Sequence, residues 1–182
     1  MRIYTKAGDD GTTGLFLGGR VSKADVLLDA CGDLDEAVAV LGVARSCCPD
    51  ERLAALLFDR QRELFVVAAD LATNPDHRDR LEPGISLVTP AMVAALERLI
   101  DELVAERPLR PVFIVPGATP LSAAIDHART VVRRAERHVV DAQSSGHLVS
   151  PLVLAYLNRL SDLAFVLARS AAGDHDEAPS HD

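Results

Sequence analysis

Three arginines one helical turn apart are the residues of this chain best suited to chemistry. Arg129, Arg133 and Arg137 recur at i, i+4 and i+8, so on a helix they lie in one row. The opposite face carries an apolar stripe made of Ala124, Ala128, Val131, Ala135 and Val139. Guanidinium groups in a row repel one another unless anions lie among them, and their planar donor forks suit carboxylates and phosphate oxygens. The row predicts either a polyanion site or a solvated charged face partly neutralised by Asp126 and Glu136.

A polar segment near the N-terminus could also bind an anion. It reads Thr5-Lys6-Ala7-Gly8-Asp9-Asp10-Gly11-Thr12-Thr13-Gly14 and is followed by Gly18-Gly19-Arg20. Glycines let the backbone turn its N–H groups inward around an anion, and Lys6 adds a mobile charge. The segment is not a P-loop, because the Gly-Lys-Ser/Thr end and the following helix start are missing. It indicates an anion-binding arm or, alternatively, a flexible tail.

Composition and charge exclude several classes of protein. The net charge of −8 argues against a general nucleic-acid binder, which needs a positive surface. The first residues contain no signal-peptide run, and no later stretch approaches the length of a membrane span. We therefore expect a cytoplasmic protein with no membrane and no nucleic-acid partner. Cys31, Cys47 and Cys48 are odd in number and form no CxxC motif, so we expect buried thiols rather than disulfides or zinc ligands.

Five amphipathic segments predict the helices that must position these groups. Their approximate bounds are 23–46, 51–72, 90–106, a fourth segment carrying the arginine row, and 151–170. Thr89, Thr119 and Ser150 each precede a proline, which marks three helix starts by an N-cap hydroxyl and a proline at the first helical position. Few aromatic residues and abundant Ala, Leu and Val favour helix packed on helix. We predict an all-α five-helix bundle in a single domain.

The remaining segments are predicted as connections. Residues 76–88 indicate a surface loop, and the apolar run from Phe113 to Ala118 indicates an extended, buried connection or a short strand. The predicted domain spans 1–172, with an arm over 1–22 and the bundle over 23–172. The polar residues 173–182 are predicted to be a disordered tail.

Common catalytic motifs are missing from the sequence. There is no Glu-x-x-His, which disfavours a di-iron bundle, and no Gly-x-Ser-x-Gly or recognisable Cys-His pairing that would indicate covalent catalysis. The cationic and amide groups that remain, together with the glycine-rich arm, suit the binding of a polyphosphate more than acid–base chemistry.

Six motifs in order resemble one enzyme family. They are Thr5-Lys6-Ala7-Gly8-Asp9-Asp10-Gly11, Arg20-Val21-Ser22-Lys23, Asp35-Glu36, Phe113-Ile114-Val115-Pro116-Gly117, Arg129 to Arg137, and Tyr156-Leu157-Asn158-Arg159-Leu160-Ser161-Asp162. From Arg2 to about Arg169 the chain resembles the PduO-type ATP:cob(I)alamin adenosyltransferases. The resemblance implies a ferritin-like, up-down bundle assembled as a homotrimer, with each active site between adjacent subunits.

The resemblance also implies a reaction and its ligands. Co(I) of reduced cobalamin attacks C5′ of ATP, which gives adenosylcobalamin and intact triphosphate, with Mg²⁺ accompanying the nucleotide. Because Co(I) is a strong nucleophile, the protein needs no general base and contributes positioning and charge stabilisation. A reductase and an adenosylcobalamin-dependent mutase are implied as transient partners.

Site residues follow from the same resemblance. The nucleotide is assigned to Thr5, Lys6, Ala7, Gly8, Asp9, Gly11, Thr12, Thr13, Gly14, Lys23, Arg133, Arg134, Glu136, Arg137 and Asn158, with Glu136 as the candidate Mg²⁺ ligand. The catalytic set is Phe113, Arg129, Asp35 and Arg133. Arg129 and Asp35 are expected to form a salt bridge across the subunit boundary. Phe113 is expected to displace the lower axial base and leave cobalt four-coordinate.

Three positions depart from the family pattern. Val38, Asp126 and Ala118 stand where an amide, a histidine and a glycine are usual, which affects expected cobalamin contacts more than ATP contacts. Two other functions also fit these residues. One is a carrier that holds ATP or adenosylcobalamin without efficient turnover, and the other is a structural bundle whose arginines only brace an interface.

Overall fold

Capping residues define where each helix begins. The computed structural model describes residues 3–173 and 178–181. Its elements are β1 (Thr12–Gly14), β2 (Arg20–Ser22), α1 (Val26–Ser46), α2 (Glu51–Leu71), a 3₁₀ helix (Pro75–Arg80), α3 (Pro90–Glu106), α4 (Pro120–Ser144) and α5 (Pro151–Ala172). The side chains of Thr89, Thr119 and Ser150 each accept a backbone N–H from the first turn, as the sequence predicts. The chain is thus mostly helical, as expected.

The first helix starts three residues later than its periodicity predicts. Asp25 is its N-cap, because the Asp25 carboxylate accepts the N–H of Leu27 at 2.9 Å. Lys23 therefore lies outside α1, and its Nζ donates to the carbonyl of Gly8 at 2.7 Å. This shift places the lysine beside the arm instead of on the bundle.

Helix α4 lies between α1 and α5 and packs extensively against both. α2 packs on α1, and α3 packs on α5. The apolar stripe predicted on α4 is in the core, since Ala128, Val131, Ala135 and Val139 are at most 1% exposed. This burial fixes the rotation of α4 and sends the arginines to its other faces.

Helix α5 corrects one expectation about membranes. It has 22 residues with a mean hydropathy of 1.3, so by length and composition it could span a bilayer. The prediction that no stretch approaches such a span was therefore wrong. Just over half of the most apolar stretch of α5 is buried inside the protein, where Tyr156, Leu157 and Leu163 are fully buried against the other helices. Its hydrophobic character is accounted for by this core packing.

The connection from α3 to α4 also differs from expectation. Phe113 is 85% exposed and Val115 is 51% exposed, so the apolar run is not a buried connection. It instead pairs with the C-terminus: Val115 N donates to the carbonyl of Ala178 at 2.9 Å, and Ser180 N donates to the carbonyl of Phe113 at 2.8 Å. Residues 178–180 thus form an antiparallel bridge around Ile114 and Pro179. Residues 174–177 and 182 of the predicted disordered tail lie outside the described residues.

The cysteines are reduced but are not all buried. Cys31 packs partly against the core, whereas Cys47 is exposed and Cys48 is half-buried. The expectation of buried thiols was therefore wrong for Cys47. This residue is the C-cap of α1.

Candidate functional site

The glycine-rich arm is a folded hairpin. β1 and β2 pair antiparallel with Thr12 opposite Ser22 and Gly14 opposite Arg20. Lys6 and Gly11 have positive φ angles of 61° and 83°, which turn the chain sharply before β1. A side chain at Gly8 would meet the carbonyl of Thr12 at 3.1 Å. The arm is therefore a defined loop that holds most of the predicted nucleotide residues, from Thr5 to Gly14.

Two residues that sequence reasoning did not assign organise this arm. The guanidinium of Arg20 donates to the Thr12 hydroxyl and to the carbonyl of Ala7. Asp10 Oδ1 accepts from the backbone N of Thr12 at 2.9 Å and from its hydroxyl at 2.8 Å. The backbone hydrogen bond from Thr12 is the main reason why the pKa of Asp10 lies below its ordinary value. The Asp-x-Thr spacing is an Asx-turn signal that could have identified Asp10, whereas Arg20 requires the hairpin register.

The four arginines of α4 have different environments. Arg133 and Arg137 are exposed on the outer side, and Arg137 Nη1 donates only to the carbonyl of Arg133, at 2.9 Å. Within the described part of the chain, neither has a carboxylate at ion-pair distance. Arg134 is different, because its Nε donates to Asp33 of α1 at 2.9 Å and its terminal nitrogen contacts Glu36. The hydrogen bond to Asp33 is the main cause that raises the pKa of Arg134.

Arg129 is held by a buried acid of its own helix. Its Nε donates to Asp126 Oδ1 at 3.1 Å, and the second oxygen of Asp126 contacts Arg169 of α5. Asp126 is only 3% exposed, and the guanidinium carbon of Arg169 lies 5.0 Å from the ring centre of Phe165. Asp126, one of the three positions that depart from the resemblance, therefore joins α4 to α5 through its carboxylate and orients Arg129.

Glu136 and Asn158 form a direct contact between α4 and α5. Asn158 Nδ2 donates to Glu136 Oε1 at 3.0 Å, and Asn158 Oδ1 accepts from Arg159 Nη1 at 2.7 Å. Both predicted nucleotide residues are half-buried. The sequence placed them on different helices, and the packing of α4 on α5 brings them together.

A cavity of about 500 Å³ lies beside the arginine row, between α3, α4 and α5. Arg129, Arg133 and Arg159 supply its positive charge, and Glu97, Asp101 and Asp162 supply the carboxylates. The apolar wall consists of Ile100, Val104, Leu109, Phe165 and Val166. A cavity of mixed character next to a cationic row suits a large ligand with an apolar body and polar substituents.

The other predicted site residues are dispersed in the single chain. Asp35 is exposed on α1 and forms no ion pair among residues 3–173 and 178–181, while Arg129 pairs with Asp126 instead. Phe113 does not line the cavity and stands on the exposed connection. The hydrogen bonds of the arm stay within the arm or reach residues 23–25, just before α1, and Ala72 and Asn74 at the end of α2, with none to the arginine row among the described residues. Val38 and Ala118, the other two departures, are half-buried.

The residues present offer limited support for a protein-bound metal ion. In the described residues, no group of three or more His, Cys, Asp or Glu side chains could hold one. Glu136 is the carboxylate nearest in sequence to Arg133 and Arg137, but one of its oxygens already accepts from Asn158. The remaining oxygen fits a single contact to Mg²⁺ or to one of its waters, which is how Mg²⁺ bound to phosphates is usually held.

Known proteins resemble this chain over nearly its whole length. The cobalamin adenosyltransferase family model matches residues 3–171. A corrinoid adenosyltransferase of Mycobacterium tuberculosis is 45% identical over 183 residues, covering 96% of this chain and 91% of that protein. The corrinoid adenosyltransferase PduO of Salmonella typhimurium is 37% identical, covering 98% of this chain and 52% of the other. A variant PduO-type ATP:corrinoid adenosyltransferase from Lactobacillus reuteri, solved with cobalamin and ATP, superposes with a TM-score of 0.89 at 31% identity and full coverage of both chains.

Proposed function

This chain belongs to the cobalamin adenosyltransferase family and transfers the adenosyl group of ATP to a corrinoid. We propose the following roles for its residues in that reaction. Arg133 and Arg137 bind the triphosphate of ATP, and Asn158 contacts the nucleotide from α5. Lys6, Lys23 and the backbone of the arm wrap the same phosphates. Arg134 supports the site indirectly, because Asp33 and Glu36 of its own chain already engage its guanidinium.

The observation that carries this proposal is the contrast between neighbouring arginines of α4. Arg134 has two carboxylate partners, whereas the described part of the protein offers none to Arg133 or Arg137. Two adjacent unpaired guanidinium groups repel each other, and a triphosphate carries enough charge to neutralise both. The cavity beside Arg133 leaves room for the rest of the substrates.

A homotrimer of ferritin-like, up-down bundles completes the site. In one chain the arm is hydrogen-bonded to the end of α2 and, among the described residues, not to the row, so a second copy is proposed to bring its arm to the arginines. Asp35 is exposed, and both terminal nitrogens of Arg129 have no hydrogen-bond partner among the described residues, which leaves this pair available to join two subunits. Such a pair becomes buried in the assembly and fixes the register of the interface.

The chemical step requires positioning more than proton transfer. Co(I) donates an electron pair to C5′ of ATP, a Co–C bond forms, and the C5′–O bond breaks with its electrons leaving on triphosphate. The cationic row stabilises that departing charge, which grows in the transition state. Phe113, presented to a neighbouring site, supplies an apolar wall that removes the lower axial base and favours four-coordinate cobalt. Asp35 and Arg129 hold the two subunits at the distance that this attack requires.

Mg²⁺ enters with ATP and is bound mainly by its phosphate oxygens. The free oxygen of Glu136 is the candidate protein contact, because it lies one helical turn from Arg133 on α4. We also propose that the enzyme acts in the cytoplasm, receives corrinoid from a reductase and passes adenosylcorrinoid to a mutase, without a membrane or nucleic-acid partner.

An anaerobic assay tests the function directly. The protein is incubated with ATP, Mg²⁺ and chemically reduced cobalamin, and adenosylcobalamin and triphosphate are quantified. We expect the two products in equal amounts and in excess over protein. A carrier would retain ATP or adenosylcobalamin yet yield no product beyond the amount of protein, and that outcome would reject catalysis.

A further inference from the structure

Asn158 on α5 has both ends of its amide occupied. Its Nδ2 donates to Oε1 of Glu136 at 3.0 Å, and its Oδ1 accepts from Nη1 of Arg159 at 2.7 Å. Because an amide nitrogen only donates and its oxygen only accepts, the two partners together fix the orientation of the amide. One partner alone would allow the side chain to swing about the remaining contact.

Arg159 is held in turn by the neighbouring helix α3. Its Nε donates to Oε1 of Glu97 at 3.0 Å, and its Nη1 also lies 3.3 Å from Oδ2 of Asp162. The hydrogen bond to Glu97 is the main cause that raises the pKa of Arg159. The side chains of Arg159 and Glu97 are 40% and 50% exposed, so this ion pair contributes little to stability. Its consequence is geometric, because it fixes the guanidinium plane that meets Asn158.

These contacts form a chain across three helices that ends beside the arginine row. Glu97 of α3 holds Arg159, Arg159 holds Asn158 on α5, and Asn158 meets Glu136 on α4. Glu136 follows Arg133 by three residues, and Arg159 lines the same cavity as Arg129 and Arg133. The chain of contacts thus reaches the position where the nucleotide is proposed to bind.

We infer that Arg159 is a positioning residue of the active site, which acts by holding the Asn158 amide in the orientation that meets the nucleotide. This inference rests on the proposed function and adds a residue that the proposed site does not contain. A prealigned side chain loses less rotamer freedom when the ligand binds, so removing its anchor weakens binding by up to about tenfold. The loss of ATP affinity caused by removing Arg159 therefore depends on the presence of Asn158.

A double-mutant cycle on ATP binding tests this inference. ATP affinity and melting temperature are measured for Arg159→Met, Asn158→Ala and the double variant. We expect Arg159→Met to weaken ATP binding about tenfold with an unchanged melting temperature, and the double variant to bind no worse than Asn158→Ala. Arg159→Lys, which keeps the charge and a donor, should recover part of the affinity. Arg98→Met removes the same charge from an exposed position next to Glu97 and should bind ATP like the wild type.

Two results would contradict a positioning role for Arg159. If the effects of Arg159→Met and Asn158→Ala add, Arg159 contacts the nucleotide itself; if Arg159→Met binds ATP normally, its contacts are only structural. Either result overturns the inference while the proposed function stands. Failure of the proposed function gives a different result. In that case the wild type does not bind ATP, or Asn158→Ala binds ATP normally, and the inference about Arg159 is rejected as well. If Arg159→Met does not fold, Glu97→Gln replaces it, with an expected loss of about threefold that disappears in the Asn158→Ala background.

Discussion

Phe113 is a large aromatic residue with little support from its own chain. With 85% of the residue exposed, its truncation removes almost no core packing, so Phe113→Ala should melt like the wild type. We expect the variant to lose turnover when cobalamin is supplied as Co(II) with a reductase, and to recover partly with Co(I), because the ring acts on cobalt coordination. Phe65 on α2 is 61% exposed, so Phe65→Ala is the matched control and should retain turnover with both Co(II) and Co(I). Equal losses with Co(II) and Co(I) would remove the coordination argument.

Cys31 and Cys47 should differ in reactivity because only one is shielded. Burial raises the pKa of the Cys31 thiol from 9.0 to about 11, since a thiolate is poorly solvated among apolar groups. At pH 8 roughly one Cys31 in a thousand is ionised. Iodoacetamide should therefore label exposed Cys47 well before Cys31, as measured by peptide mass spectrometry of the native protein. Because the neutral thiol is favoured in the folded state, Cys31 should also reduce stability as pH rises from 9 towards 11. Equal labelling rates would show that Cys31 is accessible.

At the level of elements, the C-terminal bridge is the support that the structure gives to the connection carrying Phe113. Two backbone hydrogen bonds join Val115 to Ala178 and Ser180 to Phe113. A chain ending at Gly173 should keep its helices and melting temperature, because the helical core makes no use of residues 178–181. The amide of Val115 should exchange with deuterium faster, whereas the amide of Val88, bonded to Asp70 at 2.9 Å, should not change. Unchanged exchange at Val115 would mean that the bridge does not restrain the connection.

At the scale of the whole molecule, interface formation and nucleotide binding should be separable. In the proposed homotrimer, Asp35→Ala should weaken each interface by about 2 kcal/mol, because Arg129 would lose its proposed acceptor in the neighbouring subunit and keep only Asp126. Arg133→Ala should keep the proposed homotrimer and lose ATP binding, because this arginine is proposed to neutralise phosphate. Sedimentation gives the assembly state, and calorimetry gives ATP affinity. A trimer that dissociates on Arg133→Ala but not on Asp35→Ala would reverse these assignments.

The helices and much of the chemistry can be predicted from the amino-acid sequence. Helical periodicity and hydroxyl–proline caps are local signals, so α3 was predicted with its observed bounds and α5 within two residues. The apolar stripe of α4 also follows from spacing alone, and it is buried as predicted except at Ala124, which is half-buried. Motif order identified the family, which the comparisons confirm. These features depend on residues close together in the chain or on their linear order.

Which charges are already paired depends on how the helices pack. Arg133 and Arg134 are adjacent and chemically identical, but a rotation of about 100° per residue places Arg134 against Asp33 of α1 and leaves Arg133 outside. Asp126 is likewise of a residue type expected at the surface, but the packing of α5 on α4 buries its carboxylate between Arg129 and Arg169. The exposure of Phe113 and the anchoring of Asn158 by Arg159 depend on partners far away in sequence. Electrostatic and packing energies act through space, so chemically identical residues acquire different partners only when the helices pack together.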